Sequence, residues 1–233
     1  MKRSIVDLFS GPSPLPDQLP HDPMPTVVAW LNEAHERKTQ PNPNAIALAT
    51  AAASGFPSVR MVLCKEIRPD PGWVAFYTNR QSRKGLELEA NPRAAACFHW
   101  DALDRQIRIE GPVVHAPDSE SDAYFRSRRW ESRIGAWASA QSTPIASRVQ
   151  MLDRVMETIG QLGLSLPGLV LQGNDAEIPR PPHWGGYRLW ASAVEIWAGA
   201  ASRVHDRALW ERDVVKKEGE VVCGPWRSTR LQP

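Results

Sequence analysis

No apolar run approaches the ~20 residues that a membrane-crossing helix requires. The opening residues Met1-Lys2-Arg3-Ser4-Ile5-Val6-Asp7 carry no apolar stretch of the secretory-leader kind. Cysteine is scarce: Cys64, Cys97 and Cys223 are three in number and widely spaced. They fit neither a zinc ligand pattern nor a disulfide framework, so a reducing, cytoplasmic setting is expected. The formal net charge is only +2, too small to attract nucleic acid, and anion binding must come from local clusters. There is no phosphate loop of the G-x-x-x-x-G-K type, no G-x-G-x-x-G, and no H-x-E or C-x-x-C pattern. Repeats of solenoid or propeller period are also lacking. These absences exclude a dinucleotide fold, a metal site of ordinary spacing, and nucleic-acid or membrane partners.

What is present is an ordinary globular composition, with 42% hydrophobic and 23% charged residues among 233. That length suits one sizeable core. Ten tryptophans are many for it, and most are expected to pack. Residues 1–22 are proline-punctuated and read as an irregular or mobile arm, leaving a single domain over 23–233. A first helix is predicted from Asp22 to about Arg37. Strands are predicted at Asn44–Ala51 and Ser58–Ile67 around the turn Ser54-Gly55-Phe56-Pro57. Further strands are expected at Trp73–Thr78, Ala94–Trp100 and Arg105–His115. Ser82 is placed as the cap of a short helix to Ala90, with Leu86 and Leu88 facing inward. Residues 118–163 have a helical pattern, 164–183 form a Pro/Gly-rich loop, and strands follow near 185–197, 206–212 and 220–227. Hairpin-linked antiparallel strands with segregated helices indicate an α+β fold, and a closed or partly closed barrel hides the edges.

Four segments carry chemistry. In Tyr77-Thr78-Asn79-Arg80-Gln81-Ser82-Arg83-Lys84, two cations occupy a helix's first turn, where the dipole disfavours them. A bound phosphate would explain them, and so would a solvated basic turn. Gln141-Ser142-Thr143-Pro144 reads as a helix start capped by Thr143, with Pro144 as its first residue. Arg60-Met61-Val62-Leu63-Cys64-Lys65 places two cations on an apolar strand. Strict alternation puts them on opposite faces, so they serve two anions or a bulge intervenes. Trp197-Ala198-Gly199-Ala200-Ala201-Ser202-Arg203-Val204-His205-Asp206-Arg207 gathers dense polar chemistry behind a small-residue turn. With no dinucleotide fingerprint, these settings suggest a cofactor and a substrate that each carry one phosphate.

The chain resembles the pyridoxine/pyridoxamine 5′-phosphate oxidase family over roughly residues 22–233. The matching segments are Arg60–Lys65, Phe76–Asn79 with Ser82–Lys84, Arg105-Gln106, Tyr124–Arg128, and Ser132–Trp137 with Gln141-Ser142. Trp184–Arg188 and Arg203–Arg207 complete the series, in the same order and at matching spacing. The resemblance implies an FMN-binding split barrel and a homodimer with FMN between subunits. By position it implies FMN contacts from Arg60, Met61, Val62, Leu63, Cys64, Lys65, Tyr77, Thr78, Arg83, Lys84, Gln106, Gln141, Ser142, Trp197 and Arg207. Lys65, Tyr124, Arg128 and Ser132 would take the substrate phosphate, while Arg203 and His205 would orient the pyridine ring as the catalytic pair.

The activity so implied is oxidation of pyridoxamine or pyridoxine 5′-phosphate to pyridoxal 5′-phosphate, with oxygen reduced to hydrogen peroxide. FMN would supply the redox chemistry and the protein the positioning. Residues 1–22 lack the Arg-x-x-Tyr segment usual in the family, Asn42 replaces a commonly acidic residue, and the loop Leu164–Pro182 is longer than usual. The ending Arg230-Leu231-Gln232-Pro233 is similar to the phenazine-pathway branch, which acts on a tricyclic substrate. A non-catalytic binder of FMN or pyridoxal phosphate is the reading from another class, and retention of both Arg203 and His205 speaks against it.

Overall fold

The computed structural model describes residues 15–200, 203–217 and 219–233. Its first helix, α1 (Met24–Glu36), buries Met24, Val27, Trp30 and Ala34, one stripe at helical spacing. Asp22 accepts a hydrogen bond from the Met24 amide at 2.8 Å, so it satisfies one of the helix's free N–H groups. The described part of the proline-rich arm is irregular, as its composition predicts, but it is docked. Leu15 is buried in the main core, and the carbonyl of Pro20 accepts from Trp210 Nε1 at 2.8 Å. Residues 1–14 of that arm lie outside the described residues.

Twelve strands follow among the described residues: β1 (Ala45–Ala51), β2 (Pro57–Leu63), β3 (Glu66–Arg68), β4 (Trp73–Asn79), β5 (Arg93–Trp100) and β6 (Arg105–His115), then β7 (Trp184–Trp190), β8 (Ala193–Ala198), β9 (Asp206–Glu211), β10 (Val214–Lys217), β11 (Glu220–Cys223) and β12 (Arg227–Leu231). Ten of them form one antiparallel sheet whose path runs β12-β9-β8-β6-β5-β1-β2, with β7, β4 and β3 joined through β6. The long strand β6 is the pivot. Arg105–Glu110 pair with β8, while Val113–His115 pair with β7. Gly111 sits between the two pairings, and any Cβ there would collide with the Trp190 carbonyl. Curling about this strand gives the split barrel. Its interior holds Ile46, Leu48, Phe76, Phe98, Trp100, Ile107, Ile109 and Trp210, each fully buried and contributing about 1.5–3 kcal/mol of transfer free energy.

The helices are α2 (Arg83–Ala90), α3 (Asp118–Ser127), α4 (Trp130–Ala138), α5 (Arg148–Gln161) and α6 (Leu166–Gln172). Phe125, Ile134, Ile159, Leu169 and Trp184 give α3–α6 a second, smaller core against β7.

Several expectations need correction. The strand expected over Ser58–Ile67 breaks at Cys64-Lys65, because the Lys65 amide leaves the β1 pairing and donates to Ala75 on β4 at 2.8 Å. The strand expected over 185–197 is two strands, since Ala191-Ser192 turn aside and Ser192 bonds to Glu110. The segment near 220–227 likewise divides into β11 and the start of β12. Leu88 faces the core but Leu86 is 60% exposed, because the eight-residue α2 presents only one narrow face to the barrel. The helical pattern over 118–163 is interrupted at 139–147. No helix starts at Thr143: its hydroxyl donates back to Ala140 at 2.7 Å and closes a turn. The helix begins at Arg148, where Ser147 accepts from the Gln150 amide. The loop expected over 164–183 contains α6, capped by Ser165.

Candidate active site

A cleft of about 780 Å³ opens where β2, the C-terminal end of β4, the first turn of α2 and the α3–α4 corner converge. Six cations line it, Arg60, Lys65, Arg83, Lys84, Arg128 and Arg129, with no carboxylate among the lining residues described. One acidic neighbour lies just behind. Glu87 of α2 is buried, accepts from Ser58 and Thr50, and takes Arg60 at 3.2 Å and Arg83 at 2.9 Å. Burial alone would raise its pKa, but these four donors outweigh burial and hold it at about 2.

Lys84 has no such partner. Only 7% exposed, its ammonium donates to Thr78 Oγ1 at 3.0 Å, Ser82 Oγ at 3.1 Å and Gln141 Oε1 at 3.0 Å, all neutral oxygens. Burial, with Arg60 close by, pushes its pKa down to about 8. The local sequence explains the arrangement. Ser82 caps α2 through the Gly85 amide, so Lys84 in the first turn folds back over the cap toward the end of β4. Gln141 reaches the same point from the turn after α4, where the next residue, Ser142, is left-handed with φ 74°.

The other end of the cleft is aromatic. Tyr77 packs on Tyr124 with ring centroids 4.2 Å apart and stacks on Trp184 at 5.7 Å. Gly186 lies opposite Tyr77 in the β4–β7 register, and a Cβ there would strike the Tyr77 ring. Lys65 stands 5.7 Å above the Tyr124 ring, and Arg128 lies 4.8 Å over Trp184. Arg128 Nη1 is buried with no hydrogen-bond partner among the described residues. Burial lowers its pKa; nearby Tyr124 opposes the shift and Arg133 adds to it. Ser132, on the first turn of α4, lines the same end.

Of the residues expected in the site, Arg60, Met61, Val62, Leu63, Lys65, Tyr77, Thr78, Arg83, Lys84, Tyr124, Arg128, Ser132, Gln141 and Ser142 all line this cleft. The Cys64 side chain does not: it is buried in the barrel core, its thiol donates to the Glu66 carbonyl at 3.4 Å, and burial pushes its pKa up to about 12. Gln106, Trp197 and Arg207 form a separate group, side by side on β6, β8 and β9. His205 packs on Trp197 with centroids 4.8 Å apart, and its Nδ1 accepts from the Ala200 amide at 3.2 Å. Arg203 is exposed and left-handed, with φ 61°. Ala201 and Ser202 of the expected turn lie outside the described residues. None of these five lines the cleft within one chain. Sequence reasoning passed over Glu87, Ser58, Val59 and Arg129, and quoted Trp184 in a matched segment without giving it a place in the site. The signal for Glu87 was its i, i+4 spacing from Arg83, a pairing expected on one helix face.

The pyridoxamine 5′-phosphate oxidase family profile matches residues 31–162. The chain belongs to the pyridoxine/pyridoxamine 5′-phosphate oxidase family. Residues 184–233 match that family's C-terminal dimerisation region. A pyridoxine/pyridoxamine 5′-phosphate oxidase of Novosphingobium aromaticivorans is 48% identical over 219 residues, covering 93% of this chain and 97% of the relative. One of Rhodospirillum rubrum is 44% identical over 216 residues, covering 91% and 96%. Among solved structures, PhzG from Burkholderia lata in complex with tetrahydrophenazine-1-carboxylic acid has a TM-score of 0.79 at 31% identity, covering 96% of this chain and all of its own. An FMN-binding protein of Nostoc punctiforme related to pyridoxamine 5′-phosphate oxidase has a TM-score of 0.67 at 16% identity, covering 92% of this chain and 100% of its own. That likeness speaks for the split-barrel fold. Among the described residues no group of His, Cys, Asp and Glu side chains suits a metal, and no helix is long and apolar enough to cross a membrane.

Proposed function

We propose that the chain is an FMN-dependent oxidase that converts pyridoxamine and pyridoxine 5′-phosphates to pyridoxal 5′-phosphate, acting as a homodimer in the cytoplasm. The observation that carries this reading is Lys84. A buried ammonium surrounded only by neutral oxygens, its proton already loosened, is a donor set that an anion completes. Lys84, Thr78, Gln141, Ser142, Arg83 and Arg60 would hold the FMN phosphate and its ribityl chain. Lys65 and Arg128 are further cations with no carboxylate partner among the described residues, at the aromatic end of the same cleft. With Tyr124 and Ser132 they would take the substrate phosphate.

Bound FMN would supply the two-electron acceptor for the substrate's C4′ carbon, with dioxygen as the final acceptor. The chain's own part is placement. The Tyr77–Tyr124–Trp184 stack forms an apolar wall along one side of the cleft. Arg203 and His205 would fix the pyridine ring, a contribution of near-attack positioning. Because those two residues and Gln106, Trp197 and Arg207 stand apart from the cleft in one protomer, a complete site would need the second subunit. The matched dimerisation region supports that assembly.

The test is peroxide release from the purified protein with pyridoxamine 5′-phosphate, pyridoxine 5′-phosphate and a dihydrophenazine carboxylate in parallel. Turnover of the phosphates is expected. Turnover of the tricyclic acid alone would transfer the chain to the phenazine branch, and flavin binding without turnover of any would make it a carrier.

A further inference from the structure

The segment after α6 does more than bridge to β7. It runs behind the α3–α4 corner and bonds to both helices. The Asn174 side-chain oxygen accepts from the Trp130 amide at 3.1 Å. Arg133, buried on the inner face of α4, donates to the carbonyls of Asn174 at 2.7 Å and Ala176 at 2.9 Å. Trp137 Nε1 donates to Pro179 at 2.7 Å, and His183 bonds the Ala136 carbonyl at 3.1 Å. On the other helix, Arg180 donates to Asp122 at 2.6 Å and Asp118 at 3.0 Å.

The bond from Asn174 is the informative one. Helix α4 starts at Trp130, and its own cap position, Arg129, provides no side-chain cap. An arginine carries no acceptor with which to do so. The helix therefore borrows its cap from 44 residues along the chain. The amide so fixed lies between Arg128, which precedes the helix, and Ser132 in its first turn, two of the residues that face the cleft from this corner beside Arg129 and Tyr124.

We propose that Asn174 is a positioning residue for the substrate phosphate: by capping α4 from behind, it sets the relative placement of Arg128 and Ser132, with Arg180 fixing Tyr124's helix in the same way. The inference rests on the assignment of that corner to the substrate phosphate. It gives the 173–180 segment a role in substrate affinity and not in FMN binding, since among the described residues its side-chain hydrogen bonds run to α3, α4 and Trp184 and not to Thr78, Ser82, Lys84 or Gln141.

The experiment compares the FMN-loaded wild type with Asn174→Ala, Asn174→Asp and Arg180→Ala. Five quantities are read: KM and kcat for pyridoxamine 5′-phosphate, FMN content, the dissociation constant of pyridoxal 5′-phosphate, and amide hydrogen exchange over residues 130–133. Asn174→Ala is expected to speed exchange there and to raise KM and the pyridoxal 5′-phosphate constant about tenfold, with kcat and FMN content held. Asn174→Asp keeps an acceptor at the helix start and should return both constants to within about twofold of wild type. Arg180→Ala should raise the same constants. Faster exchange with unchanged KM and pyridoxal 5′-phosphate affinity would overturn the proposal, as would a parallel loss of FMN. If the wild type oxidises neither vitamer yet binds pyridoxal 5′-phosphate, the assigned activity falls, and the proposal is decided by that binding constant alone. If it binds none, both fall.

Discussion

The two groups of side chains proposed to meet the flavin and its substrate differ in how their charge is held. On the cleft side, Lys84, Lys65 and Arg128 have no carboxylate partner among the described residues, and Lys84 is buried at some cost. On the strand side, Arg207 is already neutralised. Its Nε and Nη2 donate to buried Glu195 at 2.9 and 2.8 Å, and the same carboxyl also takes Arg108 at 3.0 Å. A cation left uncompensated in a buried place is poised for an incoming anion, whereas a paired one supplies shape and a fixed donor. The cleft would therefore supply affinity for phosphate, and the strand group the geometry around the ring system.

The comparison breaks first, if it breaks, at the phosphate end. Replacing Arg83 and Lys84 together by Ala removes two charge-assisted contacts of about 1.5–3 kcal/mol each, so FMN affinity should fall by roughly 10²–10⁴-fold. The protein should purify folded and colourless, and absorbance at flavin wavelengths beside circular dichroism checks this. On the strand side the expected signature is opposite. Arg203→Ala should retain its flavin yet lose on the order of 100-fold in kcat/KM, with His205→Ala milder because it forfeits one neutral hydrogen bond. Wild-type kinetics in both would remove that loop from the site.

Proton linkage sharpens the contrast further. Lys84 has a pKa near 8 in the cofactor-free protein, well below its ordinary 10.5. Its charge thus weighs against folding below about pH 8, and that cost is relieved as pH rises toward 10.5. Phosphate, in contrast, needs the charged form. FMN affinity should decline by up to about tenfold per pH unit above 8, while Lys84 contributes progressively more stability to the cofactor-free protein. Titration calorimetry and thermal melts over pH 7–10 should show the two trends diverging. A window at the acid end belongs to Glu87. Held at about 2 against an ordinary 4.5, its carboxylate stabilises the fold fully above pH 4.5 and loses that contribution as pH falls toward 2. Glu87→Gln should flatten the acid limb of the melting curve in that window and leave the limb above pH 8 in place.

The cleft was legible in the sequence because its residues come from short, contiguous segments. Ser82-Arg83-Lys84 announces a helix start with cations that a bound phosphate or a solvated basic turn would explain, and the structure puts Ser82 at the cap with Lys84 buried beside it. The two-faced reading of Arg60 and Lys65 foresaw a bulge as one resolution, and the strand indeed breaks before Lys65. Glu87 was harder to see, since its importance arises from Thr50 and Ser58, which only β1–β2 pairing brings near. The false helix start at Thr143 shows the limit of local signals. A hydroxyl before proline also suits a turn, and Ser147, with a free run of helix formers after it, won the cap. Asn174 had no local signal at all, because its partner amide lies in another element.

The β2 strand carries a further consequence, for the life of the chain before assembly. Among the described residues it pairs only with β1, which leaves its outer edge open, and Val59 and Met61 are 68% and 64% exposed beside Phe56. An open edge flanked by bare apolar side chains invites strand addition by any neighbour. The newly made subunit is thus a colloidal hazard until that edge is covered. Riboflavin-starved cells overexpressing the chain should accumulate it in inclusion bodies, and Phe56→Lys, outside the cleft, should keep more of it in the soluble fraction.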